Sequence, residues 1–125
     1  MLSQTVLVKA RQAKESLYDG ICTITEWQKV QKENKSTGFQ EVIVLTDQPC
    51  RLSFKTINST QQTETGASAV TQVTKLFLAP EIKVKPGSKL TVTQNGVTTE
   101  YKNSGEPAVY STHQELILEL FKGWS

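Results

Sequence analysis

Residues 90–102 read Leu90-Thr91-Val92-Thr93-Gln94-Asn95-Gly96-Val97-Thr98-Thr99-Glu100-Tyr101-Lys102. Asn-Gly is the pair favoured by two-residue hairpin turns, because both central residues need positive φ. Thr and Val flank it on both sides, and β-branched side chains fit a pleated surface. The stretch predicts two antiparallel strands, Leu90 to Thr93 and Val97 to Lys102, joined by a tight turn. Downstream, Ser104-Gly105-Glu106-Pro107 is a loop and Ala108 to Ser111 a short strand. His113 to Phe121 is the last strand, with Leu116, Leu118 and Leu120 on one face.

Upstream, Pro86-Gly87 turns the chain, Ile82 to Val84 is a short extension, and Pro80-Glu81 punctuates a strand over Val73 to Ala79. Cys50, Leu52 and Phe54 alternate with Arg51, Ser53 and Lys55, the pattern of a half-buried strand. Asp47-Gln48-Pro49 predicts a turn. The run Val42-Ile43-Val44-Leu45 within Phe39 to Leu45 predicts a strand buried on both faces. Ile21 to Trp27 is rich in β-branched residues, and the polar segment Lys29 to Gly38 links it to the next strand as a long hairpin. Ahead of this β region, Ser3 to Leu17 is rich in helix formers, with Val6, Ala10, Ala13 and Leu17 at helical spacing. Asp19-Gly20 stops that helix. Between Thr56 and Gln72 the chain has little to bury and no firm period, so a long polar loop is expected there, with a short helical turn around Ala67 to Val70 as an option.

The expected fold is mainly β: a small antiparallel β-barrel or sandwich with an N-terminal helix (1–19), a β body (20–125) and one long mid-chain loop (56–72). A chain of 125 residues forms one domain, able to bury roughly two-thirds of its unfolded surface. The net charge is +2, from 14 basic and 12 acidic residues, which argues against a dedicated nucleic-acid binder and against a polybasic membrane anchor. No window is apolar for the length of a spanning helix, and Met1 to Lys9 lacks the pattern of a secretory signal. Two cysteines do not make a disulfide framework, so a reducing cytosol is the expected place of folding.

Catalytic chemistry finds little support. Cys22 and Cys50 each share a strand with apolar residues, where a thiol packs as a small hydrophobe. A nucleophile needs a base in reach, and His113 is the only histidine. Cys22, Cys50 and His113 are too widely spaced for a structural zinc site. Glu115 and Glu119 share a parity with Ile117 and Phe121 and mark a wet face, an edge or a subunit contact. Lys85-Pro86-Gly87-Ser88-Lys89 is basic and glycine-containing, yet a β-prone stretch follows it, so it is a turn between strands and no phosphate cradle. Phe54 shares a parity with Cys50 and Leu52, and Tyr101 with Val97 and Thr99. Phe54 thus does not share a face with Arg51 and Lys55, so no platform for stacking bases is expected. No cofactor or metal is expected, and the chain is not expected to be an enzyme.

Six stretches together resemble the head-completion proteins of long-tailed bacteriophages and of prophages in Gram-positive hosts. They are Leu17-Tyr18-Asp19-Gly20-Ile21-Cys22-Thr23-Ile24, Pro49-Cys50-Arg51-Leu52-Ser53-Phe54, Lys75-Leu76-Phe77-Leu78-Ala79-Pro80-Glu81-Ile82, Lys85-Pro86-Gly87-Ser88, the Asn95-Gly96 hairpin, and Ser104-Gly105-Glu106-Pro107 with the strand after it. Such proteins are the head–tail connectors or stoppers, also called minor capsid or head–tail joining proteins. The resemblance implies a β-barrel subunit of a homo-oligomeric ring in the virion neck, made in the host cytoplasm, beneath the portal and adaptor. That ring closes the DNA exit channel and offers a face to the tail. Neither sequence-specific nucleic acid nor membrane is an expected partner.

A ring needs two different contact surfaces on each subunit. Lys32, Glu33 and Lys35 in the charged hairpin, and Glu115 and Glu119 in the last strand, are the expected subunit contacts. In the mid-chain segment, Asn58, Ser59, Thr60, Gln61, Gln62, Thr63, Glu64 and Thr65 are expected to face the channel or the adaptor. They carry no lysine or arginine to grip passing phosphates. A plain surface loop is the other reading of the same composition. Two further classes stay open: a cytosolic barrel that binds oligonucleotide or peptide, and an enzyme using Cys22 or His113.

Overall fold

The computed structural model describes residues 3–31, 33, 37–62 and 68–124, and over 57–62 and 68–71 the backbone alone. The Asn95-Gly96 turn is present, with φ of 54° and 76°. It joins β4 (Lys89–Gln94) to β5 (Val97–Asn103) in the expected register, Gln94 opposite Val97. The other elements are α1 (Gln4–Glu15), β1 (Gly20–Gln31), β2 (Thr37–Gln62), β3 (Ser68–Leu78), β6 (Ala108–Val109) and β7 (Gln114–Leu120).

All strands belong to one antiparallel sheet in the order β3-β2-β1-β4-β5-β7-β6. A further pairing of β3 with β7, from Thr74 opposite Leu118 to Leu78 opposite Gln114, joins the sheet back onto itself. The expected barrel or sandwich is thus a single sheet with ring-like bonding, and only β6 hangs outside the cycle. Inside it pack Cys22, Ile24, Cys50, Leu52, Leu76, Leu78, Leu90, Val92, Tyr101, Leu116 and Leu118. These are the inward positions of a period of two, and burying each large aliphatic side chain stabilises the fold by roughly 1.5–3 kcal/mol.

Two buried amides hold the connection between β3 and β4. Gln114 Nε2 donates to the carbonyl oxygens of Ala79, at 2.8 Å, and Ile82. Asn103 Nδ2 reaches the Val84 and Lys85 carbonyls, while its Oδ1 accepts from Gly105 N at 3.4 Å. Residues 82–84 are therefore not a strand extension. Their carbonyls bond side chains instead of a neighbouring strand, and Val84 plugs the core.

The strand β2 departs most from the sequence-based expectation. It is 26 residues long and runs through the stretch 47–49 assigned to a turn. Asp47 adopts φ 52°, a left-handed conformation that Asp tolerates, within a pair of register shifts against β1. Between Cys22 and Thr25 on β1, the partner on β2 moves from Gln48 to Ile43, two residues more than the opposing strand. The chain bends at this bulge and continues. The run 42–45 is not buried on both faces: Ile43 is 61% exposed and Val44 is exposed beside it. The bulge and the end of the β1–β4 ladder leave that stretch without a covering layer.

At its far end β2 continues to Gln62, and β3 begins at Ser68. Most of the expected 56–72 loop is accordingly ladder, with Thr56 opposite Gln72, Ile57 opposite Thr71 and Asn58 opposite Val70. Ala67 lies outside the described residues, and Ser68 to Val70 is strand, not helix. The stretch from Thr56 to Gln72 has no apolar period, which is why period alone missed the ladder. The β-branched Thr56, Ile57, Val70 and Thr71 suit it.

The helix α1 falls where expected. Ser3 caps it, its Oγ accepting from Val6 N at 3.2 Å. No residue of α1 is buried, and Val6 and Val8 face solvent. Its ties to the body are the Arg11–Glu81 ion pair and, just beyond it, a 3.2 Å bond from Arg51 Nη1 to the Leu17 carbonyl.

Candidate functional site

The register defines two arms on β2. The ladder between β1 and β4 ends at Thr25 opposite Lys89. Beyond it, residues 26–31 pair only with 37–42 of β2, from Glu26 opposite Val42 to Gln31 opposite Thr37. This is arm 1. At the other end of β2, the β3–β7 ladder stops at Thr74. Residues 55–62 there pair only with 68–73 of β3, which makes arm 2. At about 3.3 Å per residue, arm 2 extends roughly 25 Å. A two-stranded ribbon is marginal by itself in water and presents unpaired backbone groups along both edges.

The expected site residues distribute between these arms and the body. Asn58 to Gln62 lie on the β2 strand of arm 2. Thr63, Glu64 and Thr65 lie outside the described residues, as do Lys32 and Lys35. Glu33 is exposed. Glu119 is exposed on β7 opposite Lys102. Glu115 is half-buried and engaged within the chain: one oxygen lies 2.9 Å from His113 Nε2 and the other 3.4 Å from Lys75 Nζ. These two contacts, the histidine's first, hold its carboxyl below the usual carboxylate range.

Of the reactive residues, Cys22 and Cys50 meet each other within the core. Cys22 and Cys50 are 1% and 0% exposed, and both are free thiols. A hydrogen bond with Cys50 and then burial push the Cys22 thiol well above its ordinary value, away from the thiolate that nucleophilic chemistry needs. His113 is buried, stacked on Tyr110 with centroids 4.9 Å apart and tilted against Phe77 at 5.7 Å. Its Nδ1 is 3.2 Å from Thr112 Oγ1. Among the described residues no group of histidine, cysteine and carboxylates is placed to hold a metal ion. No helix there is long and apolar enough to cross a membrane.

The sequence reading missed an aromatic row. Trp27 on β1 stacks on Phe39 of β2, with centroids 6.2 Å apart and planes 12° apart. It stacks also on Trp124 at 5.4 Å and 17°, and Trp124 meets Phe121 edge-on at 5.0 Å. Lys89 Nζ sits 5.1 Å from the Phe121 ring and 5.8 Å from that of Trp124. The same ammonium bonds Glu41 at 2.7 Å and Glu100 at 3.2 Å, and Glu41 also accepts from Trp124 Nε1 at 3.0 Å. The Glu41 contact is the main reason the Lys89 ammonium titrates above its ordinary range. Together these contacts pin residues 121–124 across the base of arm 1. Phe54 and Tyr101 were the aromatics whose parity argued against stacking, and the row uses neither. Its members are scattered from 27 to 124, so strand parity could not group them. The one available signal was the composition of Phe121-Lys122-Gly123-Trp124, two aromatics in a short tail.

Beside the row lies a groove of about 530 Å³. Glu26, Trp27, Gln28 and Lys29 form one wall, and the turn Lys85-Pro86-Gly87-Ser88 with Trp124 forms the other. Lys85 Nζ is 3.8 Å from Glu26 at this site. The arrangement is one of contact surfaces: two ribbons, an uncovered helix and a groove along a strand edge.

No family model matches the chain, and no curated protein matches it. Among solved structures it is similar to the xkdH protein of the phage-like element PBSX from Bacillus subtilis, at 9% identity and a TM-score of 0.47, over 80% of this chain and 91% of that one, an overlap too loose to assign a function.

Proposed function

We propose that the chain is a structural protein of a phage or prophage particle, the head–tail connector (stopper) subunit that joins the portal and adaptor to the tail and helps retain packaged DNA. The observation that carries this reading is the overhang of β2 at both ends of the cyclic sheet. A self-contained binding protein gains nothing from two ribbons with open edges and a helix that buries no residue. A subunit in an assembly gains contact surfaces in different directions, as a head-to-tail ring requires. The sequence resemblance to head-completion proteins supports the same reading. Beyond Lys55 at its base, arm 2 carries no positive charge from Thr56 to Gln72, which suits a channel lining that does not hold DNA. Removing the gene from the phage tests the proposal. The expected result is heads that package DNA yet lose it and carry no tails, and normal particles would refute it.

A second reading draws on the aromatic row with Lys29, Lys85 and Lys89 nearby: a cytosolic barrel that binds single-stranded oligonucleotide. Salt-dependent binding of a short oligothymidine would favour it. The existing stacks of Trp27 on Phe39 and Trp124 weigh against it, because a base needs an open ring face.

A further inference from the structure

We propose that the groove along the free edge of β1 is a strand-addition site for a second copy of this chain, and that its occupant is the exposed segment 106–110. This inference rests on the oligomeric reading above and names the two faces that would join.

The edge comes first. Where the β1–β4 ladder ends at Thr25, the chain leading into β4 turns away through Lys85–Ser88. Among the described residues, Glu26 to Gln31 therefore bond β2 alone. Of these, Glu26 to Lys29 border the 530 Å³ groove. An added strand takes its main-chain bonds from such an edge and its specificity from the pockets beside it. The turn residue Ser88 closes the groove on the side away from β1.

Charge and apolar surface select the occupant. Lys29 and Lys85 are both exposed at the groove, and Trp27 and Trp124 lie beside them. The segment Glu106-Pro107-Ala108-Val109-Tyr110 offers the complement. Glu106 is exposed, and Val109 and Tyr110 are 62% and 51% exposed. Its strand β6 is last in the sheet order and pairs only with β7, so its outer edge is open. Carboxylate meets lysines, and valine and tyrosine meet tryptophans. The two faces differ, so the contact is head-to-tail and propagates from copy to copy until a ring closes.

The test places one cysteine on each face, Gln28→Cys and Ala108→Cys in the same chain, and oxidises the purified protein with diamide at the highest attainable concentration. The expected product is a ladder of dimers, trimers and larger species, while either variant with one added cysteine, beside the buried Cys22 and Cys50, stops at dimer. Adding Lys29→Glu with Lys85→Glu should slow the ladder by about tenfold, and adding Glu106→Lys should restore it. Three outcomes overturn the proposal: no intermolecular product from folded double-cysteine protein, a product that stops at dimer, or an oligothymidine that binds through Lys29 and Lys85. The trap is read on the isolated protein. A failed ladder beside a tailless gene-deletion phenotype refutes this contact alone, and a ladder beside normal particles refutes the connector reading alone.

Discussion

The side-chain amide of Gln94 grips both backbone groups of Leu52: Oε1 accepts from Leu52 N at 2.7 Å, and Nε2 donates to Leu52 O at 3.3 Å. This contact sits where β2 parts from β1, whose first paired residue is Gly20 opposite Cys50. One amide stands in for the strand that has ended, and arm 2 starts just beyond. Gly20 makes room for it, since a Cβ there would lie 3.0 Å from Gln94 Oε1.

Gln94→Ala leaves two backbone groups of Leu52 without partners and should cost about 1–3 kcal/mol. Urea denaturation reads the loss, and hydrogen exchange should show it first at Leu52 and along arm 2. Gly20→Ala, which crowds the same amide, should destabilise in the same direction.

Core and arm should separate sharply. Leu76→Ala or Leu116→Ala, each at a fully buried position, should cost about 2–5 kcal/mol. Deleting residues 61–68 removes none of the described core residues, so the thermal midpoint should shift by only a few degrees. Particles built with that deletion should leak DNA or fail to bind tails.

Trp124→Ala removes the brace on arm 1. The lost stack on Trp27 and the lost face beside Lys89 should together cost about 1–2 kcal/mol. Near-ultraviolet circular dichroism should lose the signal of the coupled indoles, with the far-ultraviolet spectrum unchanged.

Acid should weaken the fold through Glu115. His113, and then Lys75, hold its carboxyl below the usual range. Its contribution is therefore fully present above the unfolded carboxylate value of about 4.3 and is lost as pH falls through the lower folded value. Glu115→Gln should flatten the acid limb of the stability–pH curve.

Both cysteines should resist a thiol reagent in the native protein and react together on unfolding, since Cys22 and Cys50 are buried. Fast labelling of one thiol under native conditions would reopen a nucleophilic role.

The sequence made the cyclic body legible because its strands obey simple local rules. Asn95-Gly96 set one hairpin, and the alternation at Cys50 and Leu52 and at Leu116 and Leu118 marked the inward face. What escaped it was non-local. The Asp47 bulge resembles a turn until β1 is laid beside it, and it turns an apparent pair of strands into one long one. Arm 2 resembles a loop because its sequence from Thr56 to Gln72 has no hydrophobic period. The aromatic row draws on residues nearly a full chain apart, so tertiary packing alone creates it.

The central claim is that the chain acts through its outer contacts as part of an assembly. Native mass measurement of the purified protein, alone and mixed with the portal and adaptor proteins of the same phage or prophage, if the proposed function holds, tests this most directly. The account predicts a discrete complex carrying several copies of this chain on the portal–adaptor ring. A protein that stays monomeric in every mixture would contradict it.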